Sequence, residues 1–145
     1  MNVLEMWDHA DLAGTESRFR AALETATGDT ALILQTQIAR TYGIRKQFSE
    51  AQTLLRGVQP HLGSAGPEAT VNYWLEWGRT LSSATHSPAS QTDEARQAAS
   101  EAFTRAFETA RAAQLDYLAI DALHMMGFVE SKPEVLLEWN RKTLT

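Results

Sequence analysis

A five-residue pattern that occurs twice constrains the fold of this chain more than any other feature. The copies are IARTY at residues 38–42 and WGRTL at residues 77–81. Each copy lies late in a segment with apolar residues at helical spacing and precedes a second such segment, so the repeated unit is a pair of helices. A chain that repeats a supersecondary unit builds its core by stacking the copies. We therefore expect the binding surface to run along the stack.

The length and composition of the chain are those of one domain. A chain of 145 residues buries roughly 68 to 70% of its unfolded surface in one continuous core. The absence of cysteine excludes disulfides, thiolate metal sites and thiol nucleophiles. The amino-terminal segment carries acids where a signal peptide needs an apolar run. No stretch reaches the roughly 18 apolar residues of a membrane span, so we expect a cytoplasmic protein with no membrane partner.

The charge of the chain argues against binding to nucleic acid. It has 13 lysine and arginine residues against 18 acidic ones, a formal net charge of −5, and no run of basic residues. A duplex-binding surface needs clustered lysine and arginine to displace counterions from phosphate. We therefore predict no nucleic-acid partner.

Proline, glycine and capping residues divide the chain into about seven helices, and no segment alternates with period two long enough to be a strand. This pattern predicts an all-α protein. Thr15 is the predicted cap of the first long helix, and Pro67, Asp93 and Asp116 mark the starts of later ones. A short helix within residues 3–12 and a last helix from about Pro133 to residue 144 complete the prediction. The small, polar residues 82–91 are expected to form a loop and to be the place for disorder.

Small residues recur at one place in each repeated unit. Ala39, Gly78 and Gly127 each follow a large apolar residue directly. Two antiparallel helices need a small side chain where their backbones come close. We therefore predict that these three residues lie at helix contacts.

This arrangement resembles the tetratricopeptide repeat, in which a large residue, an apolar residue and glycine on the first helix are followed by a tyrosine, and then by alanine and a bulky residue on the second. The matching residues are Ile38, Ala39, Tyr42, Phe48, Ala51 and Leu55; then Trp74, Trp77, Gly78, Leu81, Ala99, Phe103 and Ala106; then Leu123, Met126 and Gly127. The resemblance implies a short α-solenoid with a right-handed superhelix. Residues 1–145 would form this single domain, with about three units of which the first and last are incomplete.

The resemblance also implies which residues line the concave groove of the solenoid. They are Ile33, Thr36, Arg40, Gly43 and Ile44; then Asn72, Leu75, Arg79, Ser82 and Ser83; then Asp121, His124, Phe128, Ser131 and Lys132. We take Thr36, Arg40, Asn72, Arg79, His124 and Phe128 as the candidate contact residues.

The charges at these groove positions allow two interpretations. Basic residues outnumber acidic ones there, which suits an acidic protein or peptide because arginine binds carboxylates through two hydrogen bonds. Alternatively, Arg40 and Arg79 pair with acids such as Glu76 on neighbouring helices, or lie in solvent. For Trp74 and Trp77 we predict positions in the core.

Residues for catalysis or for a metal or cofactor do not form recognisable motifs. The four histidines are scattered singly, and no HExxH, GxSxG, Walker or GxGxxG sequence is present. We therefore predict a non-enzymatic scaffold that binds a protein or peptide, with no catalytic residues, metal or cofactor.

Two other functions remain open. One is a helical sensor domain for a small anionic ligand or a signalling peptide. The other is a self-associating structural module that forms a homo-oligomer through the C-terminal helix with Trp139.

Overall fold

The computed structural model of the chain describes residues 3–83 and 85–129, and these residues are all α, with no strand among them. The helices are α1 (Leu12–Leu23), α2 (Gly28–Ile44), α3 (Phe48–Val58), α4 (Pro67–Leu81), α5 (Asp93–Ala112) and α6 (Asp116–Val129). Short 3-10 helices occupy Val3–Met6, Gln59–Ser64 and Pro88–Ser90. The predicted all-α class is confirmed. The last predicted helix, with Trp139, lies outside the described residues.

Most helix starts agree with the local signals in the sequence. Helix α4 begins at Pro67 and α6 at Asp116, as predicted. Helix α5 begins at Asp93, directly after Thr92, whose side chain accepts a hydrogen bond from the backbone of Ala95 at 3.1 Å. Each of these signals acts within one helical turn, so it does not depend on distant parts of the chain.

The predicted cap of α1 is wrong. Asp11, not Thr15, caps this helix by accepting a hydrogen bond from the backbone of Gly14 at 3.0 Å. Thr15 lies buried in the first turn, where its hydroxyl oxygen is 3.0 and 2.9 Å from the backbone carbonyl oxygens of Asp8 and Asp11 and shares its one proton between them. Its hydroxyl therefore ties the preceding turn to the helix.

Consecutive helices are in contact from α1 to α6, and α2 also packs on α4 while α4 touches α6. Three clusters of buried side chains form the core along this path. The first is centred on Phe19 between α1 and α2, the second on Leu55 between α2, α3 and α4, and the third on Phe103 between α4, α5 and α6. Helix α4 contributes to the second and third clusters, so it joins the two parts of the core.

The two tryptophans of α4 lie at the edge of this core. Trp74 packs against the second and third clusters and Trp77 against the second, and both are half-buried. The guanidinium carbon of Arg105 lies 4.8 Å from the ring centre of Trp74, and that of Arg56 lies 5.8 Å from Trp77. The outer parts of both rings are therefore covered by arginine side chains.

The prediction of close helix contacts holds for two of the three small residues. Ala39 is buried, and a Cβ atom added at Gly78 would lie 2.5 Å from Cε1 of the fully buried Phe103. Gly127 is exposed, so the prediction is wrong there. Helix α6 packs on α5 through a face that includes Ala122 and Met126, and Gly127 lies beside that face.

Candidate functional site

Two pockets lie on the surface formed by α2, α4 and α6. The first, here called the Arg40 pocket, has a volume of about 180 Å³ and is lined by Ala39, Arg40, Gly43, Ile44, Glu76, Arg79, Thr80, Ser83, Thr85 and Met125. The second, the Asn72 pocket, has a volume of about 300 Å³ and is lined by Val3, Leu4, Ile33, Gln37, Glu68, Asn72, Leu115, Asp116, Tyr117 and Leu118.

The lining of these pockets shows that α2, α4 and α6 run in the same direction. The N-terminal halves of all three helices meet at the Asn72 pocket, and their C-terminal halves meet at the Arg40 pocket. Residues at the same register of α2 and α4 therefore come together. Arg40, Gly43 and Ile44 were predicted to face one groove with Arg79 and Ser83, and all five line the Arg40 pocket.

Arg79 is held by two carboxylates. Its side chain is 14% exposed, and its Nη1 donates to Oε2 of Glu76 at 2.5 Å. Its Nη2 donates to both carboxylate oxygens of Asp121 on α6 at 2.8 and 2.9 Å. Burial lowers the pKa of Arg79, but the attraction of Glu76 and Asp121 outweighs burial and leaves that pKa raised. The interpretation that Arg79 pairs with acids is confirmed, but Glu76 lies on the same helix as Arg79, and Asp121 on α6 is the partner from a neighbouring helix.

Arg40 differs from Arg79 although the two occupy the same place in the repeated pattern. Its guanidinium carbon lies 5.3 Å from the ring centre of Trp7, a cation–π contact. Within the described ranges, no carboxylate lies close enough to Arg40 to form an ion pair. Among the described residues, no carboxylate therefore competes with an anionic group for the donors of Arg40.

The sequence indicated Glu76 only as a partner for an arginine. The structure shows in addition that one of its carboxylate oxygens is unpaired among the described residues. Glu76 is 2% exposed, and its Oε1 receives no hydrogen bond from any residue described by the structure. A buried acceptor without a donor costs about 1 to 3 kcal/mol, and more when it is charged. The i, i+3 spacing to Arg79 could have shown the ion pair, but only a three-dimensional structure shows the unpaired oxygen.

Two of the predicted contact residues are buried in hydrogen-bonded positions. Thr36 is fully buried and donates to the carbonyl of Ile33 at 2.6 Å. Asn72, which lines the Asn72 pocket, accepts a hydrogen bond from Gln37 at 3.2 Å and donates one to the carbonyl of Glu68 at 2.9 Å. Thr36 thus offers no surface to a ligand, whereas Asn72 lines a pocket that does not include Arg40 or Arg79.

The remaining two predicted contact residues lie on the exposed side of α6. His124 is exposed, and Phe128 is 48% exposed. Neither is among the residues that line the two pockets. The structure therefore does not bring them together with Arg40 and Arg79.

The segment between α4 and α5 forms the rim of the Arg40 pocket. The two ring nitrogens of His86 lie 2.9 Å from Oγ of Ser83 and 2.9 Å from the carbonyl oxygen of Thr80. The His86 ring also stacks on Phe48 with 3.9 Å between ring centres, and Thr85 donates to a carbonyl in the last turn of α2. The described part of this predicted loop is thus fastened by its own side chains.

Across residues 3–83 and 85–129, no group of three or more histidine, aspartate or glutamate side chains is placed to hold a metal ion. In the same ranges, no helix has the length and apolarity needed to cross a membrane.

Comparison of the chain with protein-family models, with curated proteins and with solved structures finds no match.

Proposed function

We propose that this chain is a non-enzymatic, cytoplasmic recognition module of the tetratricopeptide-repeat type, a short right-handed α-solenoid that binds a peptide segment of a partner protein. One observation carries the proposal: two pockets lie along three parallel helices, and residues from all three line both. A surface of this kind suits an extended segment. From Asn72 to Arg79, seven residues of helix rise about 10 Å, a distance that about three residues of extended chain span.

The partner that fits the Arg40 end of this surface is acidic. Arg40 carries free donors, and a guanidinium binds a carboxylate through two parallel hydrogen bonds. Arg79 adds little to such binding, because its charge is already paired with the carboxylates of Glu76 and Asp121. We therefore assign the attraction for an acidic segment to Arg40.

The proposal that the module is not an enzyme has to account for the one serine–histidine pair at the pocket. Ser83 lies 2.9 Å from His86, but its hydroxyl also contacts Thr85 at 3.1 Å, and the second ring nitrogen of His86 is bound at a backbone carbonyl. These contacts close the loop, so we assign the pair a structural role. We expect no hydrolysis of p-nitrophenyl acetate above the buffer rate, and hydrolysis that disappears in Ser83→Ala would contradict this role.

The binding proposal is tested with synthetic octapeptides of acidic, neutral and basic composition, labelled and followed by fluorescence anisotropy. We expect the acidic peptides to bind most tightly and to weaken as salt is raised. Arg40→Glu should abolish this binding. The control is Arg105→Glu, which removes an arginine that also stacks on a tryptophan but lies outside both pockets. Equal binding by wild type and Arg40→Glu would rule out the proposed groove.

The size of the Arg40 pocket favours a second candidate function, a helical sensor domain for a small anionic ligand. Its volume of about 180 Å³ lies below the roughly 300 to 1,000 Å³ of pockets for drug-sized ligands. A third candidate, self-association through the C-terminal helix, stays a prediction because that helix lies outside the described residues.

A further inference from the structure

Two charged groups in the Arg40 pocket have hydrogen-bonding capacity that the described protein does not use. Arg40 has guanidinium donors without a carboxylate partner, and Glu76 has a carboxylate oxygen without a donor. We propose that this pocket binds a free α-amino acid with an aliphatic side chain. The α-carboxylate of the ligand would bind Arg40, and its α-ammonium group would bind Glu76. The proposal uses one pocket of the surface described above but does not require that surface to bind peptides.

The charge balance of the buried ion pairs favours an ammonium group at Glu76. Arg79 binds both Glu76 and Asp121, so one guanidinium faces two carboxylates and one negative charge is left over. A buried negative charge calls for a cation with its own donors. The hydrogen bonds of Arg79 go to Oε2 of Glu76 and to both oxygens of Asp121, and Oε1 of Glu76 receives none from the described residues. A ligand ammonium group has three donors and one positive charge, which meets both needs.

The position of Arg40 favours an anion on the same ligand. Its guanidinium lies against the Trp7 ring at 5.3 Å, which holds the side chain by one face. The N–H groups at the edge of the guanidinium stay free to bind a carboxylate. A ligand with only a carboxylate would leave Glu76 without a donor, and one with only an amine would leave Arg40 without an acceptor. A zwitterion satisfies both groups.

The remaining lining of the pocket fits a short aliphatic side chain. Ala39, Ile44 and Met125 supply apolar contacts. The volume of about 180 Å³ is small for a drug-sized ligand and suits a single amino acid. A peptide end carries only one of the two charged groups next to its side chain, so the pocket is more complementary to a free amino acid than to either end of a peptide.

The test is isothermal titration of the wild-type chain with L-leucine, leucinamide and N-acetyl-L-leucine. Leucinamide lacks the carboxylate and N-acetyl-L-leucine lacks the ammonium group. We expect leucine to bind, and each analogue to bind at least about tenfold more weakly, because each loses a hydrogen bond between charged groups. No binding of leucine at millimolar concentration would overturn the proposal. Equal binding by leucinamide would overturn the role of Arg40, and equal binding by N-acetyl-L-leucine that of Glu76.

Variants of the two charged residues provide the second arm. Arg40→Gln and Glu76→Gln should each weaken leucine binding about tenfold or more. Arg105→Gln is the matched control, since Arg105 stacks on Trp74 away from the pocket and should leave leucine binding unchanged. Thermal melting checks that Glu76→Gln folds; if it does not, Arg40→Gln and the ligand series decide. Leucine binding that is unchanged in Arg40→Gln would overturn the proposal.

The outcomes separate this proposal from the proposed function. Acidic octapeptides that bind while leucine does not would sink the amino-acid site alone. Leucine that binds while no octapeptide does would sink the peptide surface alone.

Discussion

Helices α4 and α6 carry the same sequence pattern, but they differ in what covers it. In α4, the small residue of the pattern is Gly78, which lies directly under the buried ring of Phe103 on α5. In α6, the corresponding Gly127 is exposed, and so is Phe128 beside it. A small residue marks a close contact only where another helix lies over it. The pattern therefore identifies the helix, and the neighbouring element decides which face is buried.

The largest effect is expected when a phenylalanine is removed from the α4–α5 interface, and this variant is compared with one that loses a phenylalanine from the exposed face of α6. Phe103→Ala should lower the free energy of unfolding by about 3 to 5 kcal/mol, because it opens a cavity in the core. Phe128→Ala should change it by less than about 0.5 kcal/mol, since a surface side chain has few contacts to lose. Urea unfolding of both variants measures the two values. Equal losses would mean that the outer face of α6 is packed as tightly as the α4–α5 interface.

The ion pairs that join α4 to α6 give the next largest effect. Arg79→Met should cost about 3 kcal/mol, because it leaves Glu76 and Asp121 without their partner. Arg40→Met, at the same register of α2, removes a cation–π contact and no ion pair with a described residue, and should cost about 0.5 to 1 kcal/mol. Urea unfolding at neutral pH checks both values. A cost for Arg79→Met no larger than that for Arg40→Met would contradict the role of the ion pairs in joining the helices.

A smaller and opposite pair of effects is expected at the two glycines. Gly78→Ala should destabilise the protein by about 1 to 3 kcal/mol, because the added Cβ overlaps the Phe103 ring and that ring has no room to move. Gly127→Ala should be neutral or stabilise by up to about 1 kcal/mol, since alanine favours the helix. Thermal melting of the two variants shows the sign of each change. The comparison fails if both changes have the same sign and size.

The smallest effect is expected at two further exposed apolar side chains of α6, of which Tyr117 also lines the Asn72 pocket. Tyr117 is 65% exposed and Ile120 is 57% exposed. Replacing each with serine should change the free energy of unfolding by less than about 0.5 kcal/mol. Dilute samples in urea measure this change without self-association. A loss of more than about 1 kcal/mol in the free energy of unfolding would show that another part of the molecule covers these two side chains.

The sequence was sufficient where the signal is local. Pro67, Asp93 and Asp116 begin helices as predicted, because a helix start depends on the few residues next to it. Thr15 was predicted wrongly, since Asp11 is an equally good cap one turn earlier and the sequence does not rank the two. The all-α class follows from many such signals together.

For the candidate site, the sequence predicted only which positions of α2 and α4 lie side by side. Arg40 and Arg79 were placed on one groove by the repeated pattern, and both line one pocket because α2 and α4 run in parallel. The sequence did not predict that Arg79 forms ion pairs while Arg40 lies against Trp7, since Asp121 reaches Arg79 from a third helix. The burial of Thr36 and the lack of a partner for one oxygen of Glu76 also depend on neighbours that are distant along the chain.

The loop between α4 and α5 combines the lining of a pocket with the contacts that hold the loop in place. Ser83 and Thr85 line the Arg40 pocket, while His86 secures the loop to the end of α4 and to Phe48. The hydrophobic clusters that stabilise the helices lie elsewhere. The hydroxyls of Ser83 and Thr85 also hold the loop to His86 and to the end of α2. A substitution that retunes the pocket at either position therefore also loosens the loop, so ligand preference and loop order evolve together.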